Sequence, residues 1–113
     1  MIAFEYVEPE SLEETLALLE QHGDDAKVLA GGTGLINLMK QRLVQPEFVI
    51  GLRKLATIPE LMQIQAKGEC TIGALCSHHT IETSLLIKQQ LPLLAETFPH
   101  VASVRIRTSA TIG

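Results

Sequence analysis

Apolar and polar positions alternate around Phe4 and Tyr6, which predicts a short strand, and the spacing then changes to three and four. Leu12, Leu16 and Leu19 fall on one stripe with Leu18 beside them, so a first helix is expected there. Ser11 stands where a side chain can accept a free helical amide, and Glu14, three residues on, can return the bond. Gly23 sits where a left-handed residue would end the helix. Residues 27–30 read as a buried strand, 31–34 as a loop, 35–42 as a second helix with Ile36, Met39 and Leu43 inward, and 47–51 as a third strand. A strand, a helical crossover and a strand make a βαβ unit, whose right-handed connection sets the two strands parallel.

Past residue 56 the pattern changes. Leu61, Ile64 and Ala66 predict a strand, Gly68 a turn, and the string CTIGA its hairpin partner. Residues 80–90 and 91–98 read as two short helices, with Pro92 acceptable in a first helical turn. The closing VRIRTSATIG alternates polar and apolar positions, which predicts a strand or strand-loop with Arg105 and Arg107 on one face. It stops on Ile112 and Gly113 without a cap or tail, so an incomplete second domain is expected, with the division at 1–56 and 57–113.

Composition narrows the chemistry. With 113 residues, 46% hydrophobic and 19% charged, the chain has the make-up of a globular protein with a core of its own. The net charge of −4 and nine Lys and Arg spread without a run argue against a nucleic-acid surface. Cys70 and Cys76 are six apart, a spacing that matches no zinc or iron–sulfur pattern and fits two reduced, buried thiols of a cytoplasmic protein. No basic and apolar leader and no stretch near the length of a membrane span is present, so neither targeting nor a membrane span is expected. His78 and His79 lack a third ligand at useful spacing and read as a loop or helix cap, leaving no metal site and no catalytic side chain.

The informative stretch is KVLAGGTGLINLMKQR. Gly31, Gly32 and Gly34 between two apolar segments mark either a tight turn or a place where a ligand approaches the main chain. Strand, glycines and helix in succession leave free N–H groups at a helix start, and Thr33 adds a hydroxyl, an arrangement suited to an oxyanion. It is not a Walker loop, because Lys40 lies too far along and precedes Gln41, and the GxGxxG spacing is absent. A second hydroxyl-rich segment, Thr108, Ser109 and Thr111 beside Gly113, makes with the first a plausible pair of jaws for a pyrophosphate; taken singly, each neighbouring arginine reads as a solvated strand edge.

Three strings in order, AGGTGLINLMKQR, TIGALCSHHTIETSLLIKQQLPLLAE and IRTSATIG, resemble the flavoprotein unit of the molybdenum hydroxylases. This is the FAD-binding molybdopterin dehydrogenase family, of the xanthine dehydrogenase and carbon monoxide dehydrogenase medium-subunit type. The resemblance implies an α+β fold: a small N-terminal βαβ-type α/β subdomain, then the opening of a second FAD-binding subdomain of the vanillyl-alcohol-oxidase-like fold. It implies that Ala30, Gly31, Gly32, Thr33 and Gly34, flanked by Val28, Leu29 and Leu35, wrap the pyrophosphate of FAD. Ala110, Thr111, Ile112 and Gly113 match the start of the family's second motif, ATIGGN, and Val101 and Ala102 fall where the family's chain passes near the cofactor.

Departures from the pattern are Gly34, where a polar or acidic residue is usual, Thr108, where Asn commonly follows the arginine, and Cys76, where Thr is usual. The implied partners are a molybdenum-cofactor subunit and a 2Fe–2S subunit, with NAD or another acceptor taking the electrons. The alternatives are a truncated, non-catalytic relative that pairs with a partner without flavin, and a binder of nucleotide or coenzyme A phosphates.

Overall fold

Strands β1 (Glu5–Val7), β2 (Ala26–Leu29) and β3 (Phe48–Gly51) form a parallel sheet in the order β1-β3-β2. The computed structural model describes residues 2–113, and this sheet organises the first of its two units, Met1–Thr57. Helix α1 (Leu12–His22) links β1 to β2 and α2 (Leu35–Lys40) links β2 to β3. The register pairs Tyr6 with Val49 and Leu29 with Gly51, and these side chains share one face with Ile36 and Met39 of α2. Ala26, Phe48 and Ile50 point to the other face, where His22 at the end of α1 stacks on Phe48 with ring centroids 3.7 Å apart. Both faces of the central strand are thus covered, as a parallel sheet requires, and Val49 and Ile50 are buried.

The cap of α1 forms with one shift. Ser11 Oγ accepts the Glu14 N–H at 3.1 Å, but the Glu14 carboxylate accepts from the Glu10 N–H, one residue before the cap. Gly23 closes the helix at φ +54, its N–H donating to Leu19 O. The inward face is not the expected leucine stripe: Leu12 and Leu16 are exposed, Leu18 and Leu19 are half-buried, and Thr15 is buried. Thr15 can be inside because its hydroxyl donates to Ser11 O at 2.8 Å. In α2, Met39 is buried, but Leu43 is exposed: the helix ends at Lys40, and Arg42 at φ +58 turns the chain outward before Leu43.

The second unit, Ile58–Gly113, begins with a single helical turn, α3 (Pro59–Met62), which takes Leu61 out of the expected strand. The hairpin follows as β4 (Ile64–Lys67) and β5 (Glu69–Ile72), turning on Gly68 at φ +76. Helices α4 (His78–Glu82), α5 (Leu85–Gln90) and α6 (Pro92–Thr97) come next. The expected helix over 80–90 is split because Ser84 starts a new one, its Oγ accepting the Ile87 N–H at 3.3 Å. Cys76, Ile81 and Ile87 form the buried core.

The closing segment corrects the sequence expectation. VRIRTS is a helix, α7 (Val104–Ser109), capped by Ser103, whose Oγ accepts the Ile106 N–H at 3.3 Å. Two residues on a helix are about 200° apart, so Arg105 and Arg107 cannot share a face. Arg105 is exposed and Arg107 is buried, so Arg107 is not the solvated strand-edge residue that alternation predicts. Beyond α7, Thr111 bridges Ser77 in antiparallel fashion.

Candidate functional site

The glycine loop leaves the carboxyl end of β2, the edge of a parallel sheet from which ligand-binding loops rise. Gly32 has φ +79, and a β-carbon there would stand 2.9 Å from Ile36 Cδ1 and 3.3 Å from Leu29 Cδ1. The loop's carbonyls are used: Gly32 O accepts the Ile36 N–H and Gly34 O the Leu38 N–H, both at 3.2 Å, and Asn37 Nδ2 donates to Thr33 O at 3.1 Å. Its amides are not. Among the described residues, the N–H groups of Gly31, Gly32, Thr33, Gly34 and Leu35 have no protein acceptor.

Gly31 and Gly34 are exposed, Gly32, Thr33 and Leu35 half-buried, and a β-carbon at Gly34 would meet open space. Successive main-chain donors without acceptors, on glycines that allow close approach, fit the oxygens of a dinucleotide pyrophosphate. Ala30 is exposed beside them, Val28 is exposed and Leu29 half-buried.

The second motif is built differently and lies in the second unit. The Ala110 N–H donates to Ile106 O at 2.8 Å, Ile112 N–H to Cys76 O at 3.0 Å and Gly113 N–H to Ala74 O at 2.9 Å, so three of its amides are committed. Ala110 O accepts the His78 N–H at 2.9 Å, and Thr111 Oγ1 donates to Gly113 O at 3.2 Å. A β-carbon at Gly113 would lie 2.7 Å from Ala74 O, so glycine there serves close packing of two chain segments.

Sequence reasoning missed a part-buried ion pair next to Ala102. Arg107 Nε donates to Glu82 Oε1 at 3.1 Å, and Arg107 Nη1 donates to Val101 O at 2.8 Å and to Ala102 O at 3.3 Å. Ala102 has φ +49, uncommon for a residue with a β-carbon. The same Glu82 oxygen lies 3.0 Å from His79 Nδ1. The His79 hydrogen bond first, and Arg107 after it, hold the Glu82 carboxyl below the usual carboxylate range. The signal was Ser103: read as a helix cap, it turns the arginines of VRIRTS to different sides.

At the same carboxyl edge of the first unit, Arg53 pairs with Glu8 at 3.0 Å and Lys54 with Glu10 at 3.8 Å. The Arg53 hydrogen bond holds the Glu8 carboxyl low, while partial burial and then Glu8 push the Tyr6 phenol up. Under α2 an apolar hollow of about 340 Å³ is lined by Phe4, Tyr6, Leu29, Ile36, Met39 and Val49. Among the described residues no group of three metal-ligating side chains is found, and no helix is long and apolar enough to cross a membrane.

Comparison with known proteins places the chain in a family. Residues 2–113 match the family described as FAD binding domain in molybdopterin dehydrogenase. The chain is 42% identical over 111 residues to the carbon monoxide dehydrogenase medium chain of Hydrogenophaga pseudoflava, covering 97% of this chain and 38% of that one. It is 34% identical over 112 residues to the caffeine dehydrogenase subunit beta of a Pseudomonas species, covering 98% and 37%. The solved structure of the Hydrogenophaga pseudoflava enzyme superposes with a TM-score of 0.91 over 100% of this chain and 39% of that one, at 42% identity. Quinoline 2-oxidoreductase from Pseudomonas putida 86 gives 0.87 over 97% and 38%, at 33% identity. The chain therefore spans about two fifths of the length of the relatives it matches. With this sequence match, and with an α+β fold shared with the medium subunits, the chain belongs to the family of FAD-binding domains of the molybdopterin dehydrogenases.

Proposed function

We infer that this chain is the pyrophosphate-holding part of the flavoprotein subunit of a molybdenum hydroxylase type oxidoreductase. The observation that carries the reading is the run of amides from Gly31 to Leu35, which have no acceptor among the described residues, in a chain of the FAD-binding family. In this reading those N–H groups donate to the diphosphate oxygens of FAD, and Gly32 at φ +79 gives the bend that lets them converge. Val28, Leu29, Ala30 and Leu35 flank the bend and set its apolar border. From the second motif, Thr111 has the amide left to offer, while Ala110, Ile112 and Gly113 act by fixing the segment against Ala74 and Cys76.

Bound FAD supplies the electron-transfer chemistry, and the protein supplies binding and orientation. The partners are a subunit carrying the molybdenum cofactor and one carrying 2Fe–2S clusters, with NAD or another acceptor downstream. Residues 1–56 form the N-terminal FAD-binding subdomain and 57–113 the start of the next, in a cytoplasmic complex.

The test is titration of FAD into the full-length gene product, followed by flavin fluorescence. Saturable binding that Gly32→Val weakens by about tenfold or more supports the reading, since a β-branched side chain at φ +79, driven against Ile36 and Leu29, disrupts the bend that presents the amides. Equal binding by Gly32→Val and the parent overturns it.

A further inference from the structure

We propose that Arg107 is a positioning residue of the flavin site: anchored by Glu82, its guanidinium gathers the Val101 and Ala102 carbonyls and holds the turn that carries Ala102. The proposal rests on the FAD reading above, together with the place near the cofactor that the family resemblance implies for Ala102.

The geometry is specific. In extended backbone successive carbonyls point in opposite directions, so one donor atom cannot serve two in a row. Here Arg107 Nη1 reaches Val101 O at 2.8 Å and Ala102 O at 3.3 Å, and the backbone between them passes through φ +49 at Ala102. A residue with a β-carbon stays in that conformation only where its surroundings over-determine it. The surroundings are the arginine: its side chain is buried, and its Nε is tied to Glu82 of α4 at 3.1 Å. Glu82 is itself held, since the same oxygen meets His79 Nδ1 at 3.0 Å.

The clasp closes on itself. Val101 and Ala102 lead into Ser103, the cap of α7, and α7 brings Arg107 back under the turn it started from. Two residues past Arg107 the helix ends, and the Ala110–Gly113 segment begins. One guanidinium thereby ties α4 to the left-handed turn, at the start of the helix that runs into the second motif.

The test measures FAD affinity by fluorescence, and the visible circular dichroism of the bound flavin, in the full-length gene product as purified with its partner subunits. Arg107→Met should weaken FAD binding by about tenfold or more and alter the flavin dichroism, the size expected for losing charge-assisted hydrogen bonds. Ala102→Gly in that background should recover most of the loss, because glycine holds a positive φ without a clamp. Where Arg107→Met fails to fold, Arg107→Lys keeps the charge beside Glu82 but loses the fork, and should show the same loss and the same recovery. Unchanged affinity, or a loss that Ala102→Gly does not recover, overturns the proposal. Wild-type binding by Gly32→Val alongside loss and recovery at Arg107 would instead overturn the glycine-loop reading alone.

Discussion

Ile36 packs over Gly32 so closely that a β-carbon on the glycine would stand 2.9 Å from Ile36 Cδ1. Gly32 also has φ +79, so an added side chain is resisted by both conformation and space. Gly34, two residues on, has φ −92 and nothing within 4 Å of its missing β-carbon. Gly32→Ala should therefore cost about 1–3 kcal/mol, while Gly34→Ala should leave stability within about 0.5 kcal/mol. Urea midpoints of the two variants check this, and equal midpoints would show that Gly32 is not needed for the bend.

Gly73 and Gly51 make a second contrast. A β-carbon at Gly73 would run into the main chain of Leu61 and Met62, while one at Gly51 would meet only the end of the Tyr6 ring. Backbone held by Gly73 N–H to Gln63 O and Leu75 N–H to Leu61 O cannot step aside, whereas Tyr6 is half exposed and can swing away. Gly73→Ala is expected to destabilise by about 1–3 kcal/mol, as overpacking does, and Gly51→Ala by less. Thermal melts in which Gly51→Ala suffers more would overturn the ranking.

Acid should loosen the second unit through Glu82. Its carboxyl is held below its ordinary 4.5, by His79 first and Arg107 next, so the unfolded chain binds the proton more readily than the folded one. That stability is complete above the ordinary value and is lost as pH falls through the folded one. Glu8, held low by Arg53, adds a loss of the same sign in the first unit, so the comparison with Glu82→Gln isolates one contribution. Stability measured by urea at pH 7 and at about pH 3.5 should fall less steeply in Glu82→Gln. Parallel pH profiles would remove Glu82 from the acid transition.

Local rules carried the first unit. Ser11 before a leucine-rich run, a short apolar string ending on glycines, and the crossover lengths fix two helices and a parallel sheet by neighbour interactions alone. The failures share a cause. Leu12, Leu16 and Leu43 are apolar by type but lie outward, because burial depends on where the sheet and the turn at Arg42 place the helix, which no local window contains. VRIRTS has a strand's alternation, yet Ser103 and the burial of Arg107 against Glu82, 25 residues earlier, select a helix. The bend of the glycine loop was legible because Gly32, at φ +79, answers to backbone geometry. The committed amides at Ile112 and Gly113 were not, since their acceptors, Cys76 and Ala74, come from a distant stretch.

The two thiols should separate by reactivity, although composition alone makes them equivalent. Cys76 is 1% exposed, its Sγ donates to Met62 O at 3.0 Å, and burial pushes its thiol up. Cys70, on β5, is half-buried rather than buried as the sequence led one to expect. Alkylation needs both thiolate and access, and Cys76 offers neither while the unit is folded. Iodoacetamide at neutral pH should therefore mark Cys70 in the native protein and Cys76 only after denaturant, as read by peptide mass spectrometry. Labelling of Cys76 at the rate of Cys70 without denaturant would mean that the core formed with Ile81 and Ile87 opens far more readily than its packing implies.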